Sequence, residues 1–171
     1  MTKTFVINWR YADWDSLDAH NTFIASDPYG PFLERLRPLI DGAPQLFHIK
    51  LPTSPSPSPF DAPVTECISL YFQPSIEESV YEKSFANFVA AAEKVQGSGT
   101  EGIVGGWGVE KHRFEGEGEE MRLFGGFVGW PSVETHMRFR EMEEFPAVVA
   151  HLREGVEKIK VHHVAFKRFE A

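Results

Sequence analysis

The chain has 171 residues, 42% of them apolar and 25% charged, a balance that excludes a wholly disordered chain and suits one domain or two very small ones. A formal net charge of −8 argues against a nucleic-acid partner, whose phosphates want a basic face. No run approaches the roughly 18 apolar residues of a membrane span, the opening segment reaches charge too soon for a secretory signal, and the lone Cys67 excludes an internal disulfide or thiolate metal cluster, so a cytoplasmic protein with no membrane partner is expected.

In chain order, Phe5 to Tyr11 has strand character, and an amphipathic helix follows from Trp14 to Ile40. Gln45 to Leu51 is again strand-like. Pro52 to Pro63 alternates proline with serine, which bars helix and central strand and predicts an extended connector. Cys67 to Gln73 alternates with period two and predicts a strand. Ser75-Ile-Glu-Glu then opens a helix, with serine at the cap and acidic residues in the first turn; its apolar set is Phe85, Phe88, Val89 and Ala92, and Gln96-Gly-Ser-Gly99 stops it. Ile103 to Val109 and Met121 to Phe127 read as two strands of a hairpin around the acidic turn Glu115 to Glu119. A third helix from Trp130 and a strand from Val161 to Phe166 complete the chain.

Two stretches match each other. Trp14-Asp-Ser-Leu-Asp-Ala-His20 lies over Trp130-Pro-Ser-Val-Glu-Thr-His136, and the register runs on without a gap: Phe23 over Phe139, Tyr29 over Phe145, Phe32 over Val148, Leu36 over Leu152 and Arg37 over Arg153. Two amphipathic helices share apolar spacing by physics alone, but tryptophan, serine and histidine off the apolar stripe go beyond that. Each copy reads strand, helix, strand. The chain is therefore parsed as a partial repeat over 1–52, a Pro/Ser-rich linker over 53–63 and a complete unit over 64–171. The complete unit runs strand, helix, strand, strand, helix, strand, the ferredoxin-like split βαβ order of an α+β fold with both helices on one sheet face. The partial copy cannot cover a sheet face alone and must complete itself on the second unit or on another chain.

The Trp-x-Ser-x-x-x-His signature at a helix start after a strand resembles the dimeric α+β barrel superfamily, and is most similar to antibiotic-biosynthesis-monooxygenase-type domains, including tandem fungal forms. The resemblance covers 64–171 as a full unit and 5–51 as a half unit. It implies a homodimer whose sheets close around a small-molecule ligand. Its members include cofactor-free oxygenases of polyketide phenols, polyketide cyclases, isomerases and proteins without known activity, so membership does not select a reaction.

His20 and His136 occupy equivalent places, and catalysis seldom needs a group twice, so both read as fasteners between helix and sheet. If the more apolar face of each strand packs on the helices, then His48, His163, Tyr71, Ser69 and Gln73 point between the sheets, where this superfamily holds ligands. His163, with His48 as its alternative, is then the candidate catalytic base and Tyr71 the acid; Ser69 and Gln73 are candidate substrate contacts. Trp107, Phe124 and Phe127 would wall a cavity floored by the glycines of the hairpin strands, since glycine in strands makes room for a bend or for a ligand. His162 and His163 diverge as strand neighbours, so no metal is expected from that pair, and no motif asks for an organic cofactor. The expected function is acid–base chemistry on an aromatic or polyketide-like substrate without a cofactor, by a cyclase, isomerase or monooxygenase. The alternative is a non-catalytic ligand-binding or stress-related barrel.

Overall fold

A computed structural model of the chain describes residues 14–39, 46–52 and 57–167; the strand expected over Phe5 to Tyr11 lies outside them. The chain divides into two compact units, 1–48 and 49–171.

The first unit contains α1 (Leu17–Ile24), α2 (Tyr29–Leu36) and a 3₁₀ turn over Arg37–Leu39. Ser16 caps α1, its hydroxyl accepting from the Ala19 amide at 3.0 Å. One long helix was the sequence expectation, and proline is the reason there are two. Pro28 stands at the N-cap of α2, where its missing amide costs nothing, whereas inside a continuous helix its ring would strike the carbonyl four residues back.

The second unit carries β1 (Val64–Phe72), α3 (Glu78–Lys94), β2 (Ile103–Phe114), β3 (Glu117–Trp130), α4 (Val133–Arg140), α5 (Phe145–Leu152) and β4 (Lys158–Val164). Pro146 opens α5 and splits the helix expected from Trp130 in the same way. The strands form one antiparallel sheet in the order β2-β3-β1-β4, which is the ferredoxin-like α+β arrangement. The β2–β3 turn is tighter than the acidic stretch suggested: Phe114 pairs with Glu117, leaving Glu115 and Gly116 as a two-residue turn with φ of 53° and 80°, the positive values a type I′ hairpin requires. Ser75 does not cap α3. The N-cap is Glu77, with no side-chain hydrogen bond to the helix.

Register assigns the two faces, because directly paired residues of antiparallel strands share a side. Glu66, Ile68, Leu70 and Phe72 lie on one face with Val128 and Phe124 of β3, Trp107 of β2, and Val161 and His163 of β4. Ile68, Leu70, Phe72, Phe124 and Trp107 join Tyr81, Phe85 and Phe88 of α3 in the core. The Tyr81 hydroxyl donates to the Leu152 carbonyl at 2.8 Å and ties α3 to α5. Thr65, Cys67, Ser69, Tyr71 and Phe127 occupy the opposite face, also buried.

Two segments depart from expectation. Residues 46–52 form no regular strand; Ile49 makes an isolated antiparallel bridge to Gly108, and the Lys50 amide donates to the Trp107 carbonyl at 3.0 Å. Of the expected linker, residues 57–63 pack against the sheet rather than stand away from it. Pro59 is fully buried, its carbonyl accepts from the Thr65 hydroxyl at 2.7 Å, and the Phe60 ring lies 5.0 Å from that of Phe127. Rigid prolines flanking an aromatic ring lose little entropy on burial, which makes such a segment a ready lid for an apolar face.

Candidate functional site

The polar cluster of the second unit is built where β3 hands over to α4. β3 ends at Trp130, and Ser132 caps α4 by accepting from the Thr135 amide at 3.2 Å. That cap sets the first turn so that His136 lies back over Trp130, the rings 4.7 Å apart and 14° from parallel. Below them, Glu66 of β1 and His163 of β4 are direct cross-strand partners. The Trp130 indole N–H donates to Glu66 Oε2 at 3.1 Å, the same oxygen stands 3.6 Å from His136 Nε2, and His136 Nδ1 is 2.7 Å from His163 Nε2. Trp130, Glu66 and His136 are buried, while His163 is exposed.

Burial decides the charge states. It pushes the Glu66 carboxyl up to about 7, against the opposing pull of the Trp130 hydrogen bond and the Arg140 charge. His136 is pushed down to about 4 by burial first, then by His163 and Arg140. His163 is lowered by burial and by Arg140. Both rings are therefore neutral near pH 7, and the Glu66–His136 contact is no permanent ion pair despite its geometry. A neutral imidazole has one N–H. With Glu66 ionised, His136 Nε2–H points to the carboxylate, His163 Nε2–H donates to His136 Nδ1, and the remaining lone pair of the chain sits on His163 Nδ1.

The residues expected to act together are distributed over the molecule. Tyr71 and His163 lie on opposite faces of the sheet, Tyr71 paired with Leu123 and Lys158 and His163 with Glu66; they cannot serve one substrate as acid and base. The face assignment of β4 failed because its two sides are almost equally apolar, so alternation alone could not say which one meets the helices. Ser69 is buried on the Tyr71 side. Gln73 follows the end of β1 and borders a cleft of about 200 Å³ with Phe114 and Lys158. His48 belongs to the first unit, 2.7 Å from His20. Trp107 and Phe124 do share a wall, with Phe85, of a cleft of about 400 Å³ rimmed by Lys50, Glu78 and Glu82. Phe127 is on the other face, against Phe60.

The strand glycines make room for the protein itself. A Cβ on Gly105 would meet the Phe124 and Phe85 rings at 2.6 Å, and one on Gly106 would run into the Lys50 carbonyl oxygen. Close approach of the chain's own side chains and backbone accounts for both. The residue that sequence reasoning passed over is Glu66. Its signal was available: a carboxylate inside the strand-forming run Val64-Thr-Glu-Cys-Ile-Ser-Leu, on the same face as Ile68 and Leu70, has to be buried with a partner.

The fold places the chain among ferredoxin-like α+β proteins. No protein-family model matches the sequence, and no curated protein matches it either. Solved structures do. An anthrone oxidase-like protein matches with a TM-score of 0.59 at 15% identity, over 89% of this chain and 70% of its own. A candidate monooxygenase from Lactobacillus acidophilus matches at 0.50 and 9% identity, over 86% and 64%. A candidate antibiotic biosynthesis monooxygenase from Bordetella bronchiseptica matches at 0.45 and 22% identity, over 61% and 97%. At these identities the likeness is one of fold, which by itself carries no chemistry.

Proposed function

We propose that the chain is a small-molecule enzyme of the antibiotic-biosynthesis-monooxygenase kind, acting as a homodimer on an aromatic or polyketide-like substrate with His163 as its general base. The observation that carries this reading is the contact sequence from buried Glu66 through His136 to exposed His163, with a 2.7 Å link between the two rings. Glu66 and His136 are positioning residues: with His136 Nε2–H turned to Glu66, His136 Nδ1 accepts from His163 Nε2–H, which fixes the His163 tautomer and leaves its Nδ1 lone pair outward to take a proton. The proton would come from an acidic carbon or a phenol. For an anthrone-type substrate the carbanion reduces O₂, so that a CH₂ group and O₂ become a carbonyl and water, with no cofactor in the balance.

Oxygen uptake with an anthrone tests this directly. His163→Gln, conservative in size at an exposed position, should lower kcat about 10²–10⁴-fold with the fold intact; an unchanged kcat refutes the assignment.

One observation favours a second reading, a ligand-binding barrel without catalysis. The ring contact of His136 with His163 recurs at His20 and His48 at the same 2.7 Å, as a fastener would. In that case the ligand belongs in the Trp107 cleft, where the indole Nε1 is buried without a hydrogen-bond partner among the described residues. An anthraquinone would then raise the melting temperature without turnover of the anthrone, and Trp107→Phe would abolish that shift.

A further inference from the structure

We propose that Glu66, His136 and His163 form a binding site for one divalent transition-metal cation of the Zn²⁺ or Co²⁺ class. One ligand-type atom from each residue lies within 4.8 Å of the others. Glu66 Oε2 and His136 Nε2 stand 3.6 Å apart, close to the spacing of two ligands that each sit about 2.0–2.2 Å from a tetrahedral zinc ion. Glu66 and His163 come from directly paired strand positions, so the sheet itself holds them on one side, and α4 lowers His136 onto them.

His136 cannot offer both ring nitrogens to one ion. The cation therefore takes His136 Nε2 with Glu66, and the third donor arrives when His163 releases His136 Nδ1 and turns. His163 is exposed, so nothing packed has to move, and its side of the site is the entry path and leaves a coordination position for water. Two imidazoles and one carboxylate select borderline metals over Ca²⁺ or Mg²⁺, which prefer oxygen donors. The Trp130 N–H on Glu66 Oε2 supplies the outer hydrogen bond that orients a ligating carboxylate. Arg140 acts electrostatically on all three groups and opposes a cation, which the Glu66 carboxylate offsets.

His20 and His48 repeat the histidine pair at the same 2.7 Å, so a substitution at His48 separates a histidine pair alone from the three-residue site. His162, next to His163, points to the opposite sheet face and is no ligand.

A His163 that ligates a cation has no lone pair left for a proton, so the metal-bound form would lack the base proposed above; metal binding is read without substrate, and the two readings therefore fail separately. The metal-freed full chain is titrated with Co²⁺, following its visible absorption, and with Zn²⁺ by calorimetry. The expected result is saturation at one equivalent with the intense band of a low-coordinate Co²⁺ site. His163→Ala, at an exposed position, should weaken binding at least tenfold, Glu66→Gln likewise, and His48→Ala should leave it unchanged. No saturable binding, full binding retained in His163→Ala and Glu66→Gln, or binding lost only in His48→Ala would each overturn the site.

Discussion

The helix pair of the first unit and that of the second can be laid over one another residue for residue. α1 and α4 cover equivalent positions, as do α2 and α5. Ser16 and Ser132 cap with the same backbone angles, φ −163° in both. Trp14 stacks on His20 at 4.5 Å and Trp130 on His136 at 4.7 Å; Phe23 meets Tyr29 at 88° and Phe139 meets Phe145 at 88°. The difference lies in the surroundings. In the second unit the α5 stripe is buried, with Val148 at 3% and Leu152 at 4% exposure, and α3 is tied to it through Tyr81. In the first unit the equivalent Phe32 of α2 is 41% exposed. A local motif of cap, stacked rings and paired histidines therefore forms from its own residues, whereas burial of the outer stripe and the carboxylate of Glu66 come, in the second unit, from α3 and β1.

That contrast can be broken experimentally. The largest effect should come from a charge on the stripe: Val148→Asp should cost about 4 kcal/mol in urea unfolding, an ion stranded in a core, whereas Phe32→Asp should cost about 1 kcal/mol, the value of its ring contacts. Equal costs would mean that α2 is covered as α5 is.

A second effect is in pH, measured with chelator present. Native Glu66 keeps its proton up to about 7, while the unfolded chain releases it near 4.5, so the unfolded state binds fewer protons in that window and stability falls as pH rises. Native His136 stays neutral down to about 4, while the unfolded chain protonates near 6.5, so stability falls as pH drops through that window. Where the windows overlap the two effects oppose each other. Glu66→Gln removes the first and should leave a profile that loses stability monotonically below pH 6.5. A profile unchanged from the parent protein would show that Glu66 titrates as an ordinary surface carboxylate.

The smallest effect is the one expected to be alike in both units. Ser16→Ala and Ser132→Ala should each cost about 1 kcal/mol, the usual value of a lost N-cap; a cost at only one of them would show that the local motif is not self-sufficient.

Much of this was legible in the residues. The four strands of the second unit, the hairpin, the helix over Phe85 and Phe88, and the match between Trp14–Arg37 and Trp130–Arg153 follow from period, turn chemistry and direct alignment. The site was less legible. His163 was singled out, but with Tyr71 as its partner, since each short strand shows its alternation without showing which side meets the helices. Trp107 and Phe124 were placed together correctly and Phe127 with them wrongly, for the same reason. The packing of residues 57–63 was also missed: proline content reports what a segment cannot form, not what it lies against.

Sequence alone determined which residues alternate along the strands, where the hairpin turns and which two stretches match, because those depend on neighbours a few positions away and on fixed helical and strand periods. Tertiary structure decided which face of β4 meets α4, and so whether His163 would find a tyrosine or a carboxylate. Register shifts of one residue reverse every side chain in a strand, and only the hydrogen-bonded pairing of β4 with β1 sets that register.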